Sequence, residues 1–88
     1  MTVRILVVSA KSKRIAARIW VRRRATGMSQ HQLAARLGWS VSLLSAFENG
    51  EREIYLSDLQ PIAEQLGRSV AWFERDWVER KLNGHSGS

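Results

Sequence analysis

The segment of residues 29–50, SQHQLAARLGWSVSLLSAFENG, constrains the fold more than any other part of the chain. Its apolar residues recur three and four positions apart on both sides of a glycine: Leu33, Ala34, Leu37, Trp39, Leu44 and Phe47. Leu33 and Leu37 are four apart and share one face of a first helix. Gly38 follows at a position where a left-handed backbone ends a helix and a Cβ is penalised. The spacing therefore predicts a short helix that ends at about Leu37.

A second short helix is predicted over about Val41 to Asn49. Ser40 or Ser42 can cap its first turn through a side-chain hydroxyl. Leu44 and Phe47, three apart, direct its apolar stripe back onto the first helix, and Ala34 is small enough for the two helices to cross closely. Two short helices joined by a glycine turn are typical of a helix-turn-helix unit, whose second helix enters the major groove of DNA.

The charge of the chain is strongly asymmetric. Residues 1–47 contain nine Lys or Arg and no Asp or Glu, whereas residues 48–88 contain five basic and eight acidic residues, and +9 with −3 gives the net charge of +6. A one-sided basic field is typical of proteins that bind polyanions. A solvated basic face explains charge alone equally well, but charge together with the helix-turn-helix spacing favours DNA.

Composition excludes several classes of chemistry. The chain of 88 residues has no cysteine, which excludes disulfides, thiolate catalysis and cysteine-ligated zinc. Its two histidines, His31 and His85, are isolated from other metal-ligand types, and no nucleophile–base pair is visible, so we expect neither a cofactor nor catalysis. No stretch is long and apolar enough for a secretory signal or a bilayer span, and we expect a cytoplasmic, nucleoid-associated protein.

The chain is expected to form one domain with two flanking segments: an arm over residues 1–10, a helical domain over 11–82 and a disordered tail over 83–88. Residues 2–8 are β-branched and apolar. They are either a strand that pairs with a second subunit or another partner, or a loosely ordered arm.

Around the helix-turn-helix unit, three further helices are predicted. The first spans about Lys11 to Thr26, and Ser29 then caps the second helix. The fourth is capped at Ser57 or Asp58, carries Pro61 near its first turn and ends at Gly67. The fifth begins after Ser69 and extends as far as Leu82.

The residues in this order resemble the phage-repressor and Cro family of bacterial regulators, also called the xenobiotic-response-element type. The resemblance covers about residues 12–75 and is carried by Arg23, Gly27, Ser29-Gln30, Leu33-Ala34, Gly38, Leu44, Glu48-Asn49-Gly50, Leu59, Ile62-Ala63 and Leu66-Gly67. It implies an all-α, five-helix lambda-repressor-like domain that is normally dimeric and acts as a transcriptional repressor. It also implies an ion pair between Arg23 and Glu48 that joins the first helix to the recognition helix.

The resemblance places base-reading residues at the start and on the outward face of the third helix: Ser40, Val41, Ser42, Ser45 and Ala46. None of these has the bidentate amide or guanidinium that discriminates A or G strongly. We therefore expect a larger share of affinity from phosphate contacts and DNA shape. The candidate phosphate ligands, not all of which are expected to reach DNA, are Gln30, Arg22, Arg24, Arg36, Lys11, Lys13, Arg14 and Arg52.

Two features of the following loop depart from the family pattern. Glu51 and Glu53 stand where family members often have basic residues, and they either point away from the duplex or weaken its binding. Ile54-Tyr55 replaces a frequent Pro-Ser, which makes the path into the fourth helix harder to predict.

The aromatic residues are interpreted mainly as packing groups. We expect Trp39 in the core between the two central helices and Trp20 to be partly buried. The fifth helix is more apolar than a minimal monomer needs, and large aromatics often anchor interfaces. The resemblance also implies self-association at this helix, so a dimer contact is favoured over a purely core role for Val70, Trp72, Phe73 and Trp77.

Two functions follow from these patterns. The first is a dimeric repressor that binds a pseudo-palindromic operator of double-stranded DNA. The alternative is a protein-interaction module on the same fold, an antitoxin or anti-activator, which is favoured by the apolar N-terminal segment, the acidic second half and the weak base-reading face.

Overall fold

The computed structural model describes residues 7–75, and this part of the chain forms five α-helices without a strand. The helices are α1 (Ala10–Ala25), α2 (Gln30–Leu37), α3 (Val41–Glu48), α4 (Leu56–Leu66) and α5 (Val70–Glu74). The predicted all-α, five-helix class is confirmed. Most of the predicted N-terminal arm, the extension of the fifth helix to Leu82 and the predicted tail lie outside the described residues.

Serine hydroxyls begin four of the five helices. Ser9, Ser29, Ser40 and Ser69 each accept a hydrogen bond from a backbone N–H in the first turn of the helix that follows. Each cap satisfies one of the backbone donors that have no partner inside the helix. The prediction of Ser29 and Ser69 as caps is confirmed, and of the two candidates for α3 the structure uses Ser40.

The turn between α2 and α3 has the predicted glycine geometry. Gly38 has a φ of +73° and donates its N–H to carbonyls at the end of α2. Trp39 then donates to the carbonyl of Ala34 at 2.9 Å, so the turn closes within its own few residues. This left-handed position is costly for a residue with a Cβ, which is why the glycine marks the end of α2.

The start of α4 differs from the prediction. The helix begins at Leu56, with Tyr55 as N-cap, two residues before Ser57, the nearer of the two expected caps. Asp58 accepts a hydrogen bond from the Tyr55 backbone N–H at 3.0 Å, so an acidic side chain in the first turn replaces the expected cap. Because of the earlier start, Pro61 lies in the second turn and is tolerated inside the helix rather than at its entry.

All five helices and the loop before α4 contribute to one apolar core. The largest fully buried side chains are Phe47, Phe73, Ile19, Leu33, Leu44, Leu59, Ile62 and Leu66. Trp39 is half-buried beside this core, with its ring centroid 5.2 Å from that of Phe47. Trp20 is 44% exposed, and the Arg24 guanidinium lies 4.9 Å from its ring centroid. The two α-helices of the predicted helix-turn-helix unit thus rest on a scaffold made by α1, α4 and α5.

Candidate nucleic-acid interface

A buried polar network fixes the position of α3. Arg23, on α1, donates from Nε and Nη2 to the two carboxylate oxygens of Glu48 at 2.6 and 3.0 Å. The same guanidinium donates to the carbonyl of Met28 at 2.9 Å, and Gln30 Nε2 donates to Glu48 Oε1 at 2.9 Å. The Glu48 side chain is fully buried. A buried carboxylate needs a charged partner, and Arg23 supplies it. The ion pair ties the end of α3 to α1, and the Gln30 hydrogen bond ties it to α2.

The outward face of α3 carries small and mostly polar side chains. Ser42 is exposed, while Ser45 and Ala46 are half-buried. The Ser40 hydroxyl accepts from Leu43 as the helix cap, and Val41 packs partly against the core. Asn49, at the end of the helix, donates its side-chain amide to Ser45 Oγ at 3.3 Å. Among the five predicted base-reading positions, Ser40 and Ser42 are exposed, and Ser40 also caps the helix.

Four of the predicted phosphate ligands surround the helix-turn-helix unit. Arg24 lines a cleft of about 310 Å³ together with Ser29 and Gln32 at the N-terminus of α2. Arg36 is exposed in the last turn of α2. Lys13 and Arg52 lie near the loop after α3: a Cβ added to Gly50 would be 3.5 Å from Lys13 Cγ, and the Arg52 guanidinium covers the Phe47 ring at 5.1 Å.

The other four predicted phosphate ligands have different partners in the structure. Arg22 donates to the carbonyl of Leu66 at 2.8 Å and so caps the C-terminus of α4. Lys11 pairs with Glu74 at 3.3 Å, and Arg14 lines a groove on the α5 side of α1. Gln30 points its amide into the Glu48 carboxylate. Arg22, Lys11 and Arg14 share the basic sequence pattern but lie on the side of α1 that faces α4 and α5. The charge pattern alone does not reveal which face of α1 a side chain occupies.

The acidic residues of the loop after α3 are separated by the fold. Glu53 accepts from the Ser9 backbone N–H at 2.8 Å and from Ser9 Oγ at 2.7 Å, which turns its carboxylate toward the start of α1. The backbone hydrogen bond from Ser9, followed by the hydroxyl bond, lowers the pKa of Glu53 below its ordinary value of 4.5. Glu51 remains exposed. The Glu53 side chain therefore points toward the start of α1, where Ser9 holds it.

Two serines of this region had no role in the sequence-based prediction. Ser9 joins α1 to Glu53, and Ser12, 1% exposed, accepts from the Ile54 backbone N–H at 2.9 Å. Both contacts span more than forty residues of sequence. The only sequence signal was the serine at the predicted start of α1, where a cap is expected, and that signal did not identify the distant partner.

The predicted dimer contact needs one correction. Phe73 is fully buried inside a single chain, in edge contact with Trp72 at a centroid separation of 4.9 Å, and is therefore a core residue. The pattern did not distinguish these roles because an apolar residue at helical spacing suits an interface and a core equally. Val70 and Trp72 are half-buried, and Trp77 lies outside the described residues.

The described part of the chain has neither a cluster of metal-binding side chains nor a helix that could span a membrane. Residues 7–75 contain no group of three or more His, Cys, Asp or Glu side chains that could hold a metal ion. None of the described helices combines the length and hydrophobicity needed to cross a bilayer. His31 is exposed on α2, and His85 lies outside the described residues.

Solved structures with the same helical arrangement come from different kinds of protein. The clp gene regulator ClgR from C. glutamicum is 26% identical, with a TM-score of 0.70, and the match covers 74% of this chain and 84% of that one. A structure of FeII HppE is 33% identical, with a TM-score of 0.69, and covers 75% of this chain. Hydroxypropylphosphonic acid epoxidase from S. wedmorenis is 33% identical, with a TM-score of 0.68, over 74% of this chain.

The coverage of the relatives is unequal. The chain spans only about a third of the length of the HppE and epoxidase chains, at 35% of each. A comparison with curated proteins finds no match. The helix-turn-helix family model matches residues 14–73, about two thirds of the chain, and this range contains the whole Arg23–Glu48–Gln30 network together with α2 and α3. The chain therefore belongs to the helix-turn-helix family.

Proposed function

We propose that this protein is a DNA-binding transcriptional regulator that acts by binding rather than by catalysis. The observation that carries the proposal is the way α3 is held. Its inner face is locked by the buried Glu48 carboxylate and by Phe47, while Ser42 on the other side is exposed. A rigid short helix with an open outer face is the arrangement that a major-groove reader needs. The similarity to the regulator ClgR supports the same class.

Affinity would come chiefly from the phosphate backbone. Arg24 and Arg36 flank α2, and Lys13 and Arg52 flank the loop after α3, so cations lie beside both the first helix of the unit and the exit from the recognition helix. Small hydroxyl side chains on α3 supply weak contacts to base edges. We propose that sequence preference therefore depends partly on DNA shape, because the cations contact phosphates whose positions on the two strands vary with the shape of the duplex.

The finer proposal is a dimeric repressor on a pseudo-palindromic operator. Two copies of α3 would enter successive major grooves about 34 Å apart. Selection of bound oligonucleotides from a random pool tests this directly. We expect enrichment of two inverted half-sites whose centres lie one helical turn apart. Enrichment of a single half-site, or no enrichment, would contradict the proposed dimer.

A matched pair of variants tests the phosphate contacts. Arg24→Ala should weaken binding to all sequences and reduce the slope of log K against log salt by about 1. Arg14→Ala removes a cation from the groove on the α5 side of α1 and should leave the slope unchanged. Fluorescence anisotropy titrations at several salt concentrations measure both. If Arg24→Ala and the unaltered protein have equal slopes of log K against log salt, Arg24 does not contact a phosphate.

A second candidate function is a protein-interaction module, an antitoxin or anti-activator. It is favoured by the small side chains on α3, which offer few strong contacts to base edges. Anisotropy with the selected DNA distinguishes the two functions. Sequence-specific binding near nanomolar favours the regulator, and salt-sensitive micromolar binding without sequence preference favours the interaction module.

A further inference from the structure

Three consecutive arginines lie in the last turn of α1, and the structure gives each a different environment. Arg22 caps the C-terminus of α4, and Arg23 forms the buried ion pair. Arg24 is exposed, and no ion pair within residues 7–75 involves it. Its guanidinium instead lies over the ring of Trp20, with Cζ 4.9 Å from the ring centroid. Of the three arginines, Arg24 therefore has the charge most available to an anion.

The contact between Trp20 and Arg24 follows from the geometry of α1. The two residues are four positions apart and share one face of the helix. A long side chain on a helix points back toward the preceding turn, which brings the Arg24 guanidinium above the Trp20 ring. The face of an aromatic ring carries partial negative charge and attracts a cation, most strongly in tryptophan. This cation–π pair is therefore formed within α1 alone.

We propose that Trp20 is a positioning residue for the phosphate contact of Arg24. The inference rests on the proposed DNA binding and names a residue that supports it. Arg24 lines the cleft beside Ser29 and Gln32, at the edge of the helix-turn-helix unit. An unrestrained arginine side chain samples many rotamers, and binding must order it at a cost in entropy. A guanidinium that the Trp20 ring already restrains beside this cleft loses less freedom when it contacts a phosphate.

Arg36 is a matched cation without such a ring. It is exposed in the last turn of α2, as Arg24 is exposed in the last turn of α1. Within residues 7–75, the arginines that lie over an aromatic ring are Arg24, Arg52 and Arg68, and Arg36 is not among them. A phosphate contact of Arg36 should therefore not depend on Trp20, and Arg36 is the control for each measurement below.

Proton NMR of the free protein tests the restraint itself. Protons above the face of an aromatic ring resonate upfield, so the side-chain protons of Arg24 should lie upfield of those of Arg36. Trp20→Leu keeps an apolar side chain but removes the ring, and it should return the Arg24 protons to the range of Arg36. Trp20→Phe should retain part of the upfield shift. Arg24 resonances that do not move in Trp20→Leu would overturn the proposal, whether or not the protein binds DNA.

A double-mutant cycle measures the consequence for binding. The probe is a fluorescently labelled DNA duplex recovered by the selection described above, titrated by anisotropy. Trp20→Leu should weaken its binding about two- to five-fold, the contribution of one exposed cation–π contact, and should leave the salt slope unchanged because no charge is lost. In an Arg24→Ala background the same change should have no effect. In an Arg36→Ala background it should keep its full effect.

The outcomes separate this inference from the proposed function. An equal loss of affinity from Trp20→Leu with and without Arg24 would overturn the inference alone, because Trp20 would then act independently of that cation. A loss that Trp20→Phe does not partly reverse would also overturn it. Failure of the unaltered protein to bind any duplex would overturn the proposed function and this inference together.

Discussion

The two connections that flank α3 are stabilised in different ways. The turn from α2 to α3 closes through its own residues, with Gly38 in a left-handed conformation and Trp39 bonded to Ala34. The loop from α3 to α4 is instead held from α1, because Glu53 binds Ser9 and the Ile54 N–H binds Ser12. The angle of the helix-turn-helix unit is therefore set locally, whereas the exit from α3 depends on contacts between distant segments.

The largest expected effect comes from removing the buried ion pair at the end of α3, which lies between the two connections. Arg23→Met leaves the Glu48 carboxylate buried without its cation, and we expect unfolding free energy to fall by about 3–5 kcal/mol. Urea unfolding followed by circular dichroism measures the loss. The double variant Arg23→Met with Glu48→Leu should recover a large part of it. A small loss in the single variant would mean that water or Gln30 satisfies the carboxylate.

The exit loop is tested by Ser12→Ala. This change leaves the buried Ile54 N–H without an acceptor, and the expected loss of unfolding free energy is about 1–3 kcal/mol. Ser42→Ala, which removes a hydroxyl from the exposed face of α3, is the matched control and should change stability by less than about 0.5 kcal/mol. Equal effects of the two variants in urea unfolding would show that the loop is not held from α1.

The local turn is tested by Gly38→Ala. A Cβ at this position meets no atom within 4 Å, so the cost is the left-handed backbone itself, about 1 kcal/mol. Gly38→Asn should cost less because asparagine tolerates this conformation. Thermal unfolding of both variants measures the difference. A larger loss for asparagine than for alanine would contradict a purely conformational role for Gly38.

The smallest expected effect is the pH dependence of the Ser9–Glu53 contact. The folded protein lowers the pKa of Glu53 below 4.5, so the stabilisation is present above pH 4.5 and is lost as pH falls through the lowered pKa. Glu53→Gln should therefore be less stable than the unaltered protein at neutral pH, and the two should converge in acid. Thermal midpoints measured from pH 7 to pH 3 test this, and a constant difference across that range would exclude the titration.

The accuracy of the sequence-based prediction follows the same division between local and distant contacts. The caps at Ser29 and Ser69 and the turn at Gly38 were predictable because cap and glycine geometry depend on a few neighbouring residues. The start of α4 was predicted two residues late because the Tyr55–Asp58 cap follows a loop that α1 holds in place. The family resemblance supplied the partner of Arg23, which spacing alone does not reveal.

The candidate interface shows the same limit. The sequence identified a basic first half and named Arg22, Lys11 and Arg14 among candidate phosphate ligands, not all of which were expected to reach DNA. The structure places these three beside α4, beside Glu74 and along the groove next to α5. Likewise, Phe73 has the spacing of an interface residue and is buried in the core. Composition predicts the total charge, but the face on which each charge lies depends on how α1 packs.

The sequence by itself determined the five-helix class, the glycine turn and the small polar face of α3, since these depend on side-chain periodicity and on backbone preferences of single residues. Only the tertiary structure decided which cations remain open beside α3, and that the Glu53 carboxylate accepts hydrogen bonds from Ser9 at the start of α1. Those properties depend on contacts between residues more than forty positions apart, whose partners are fixed when the helices pack around a common core.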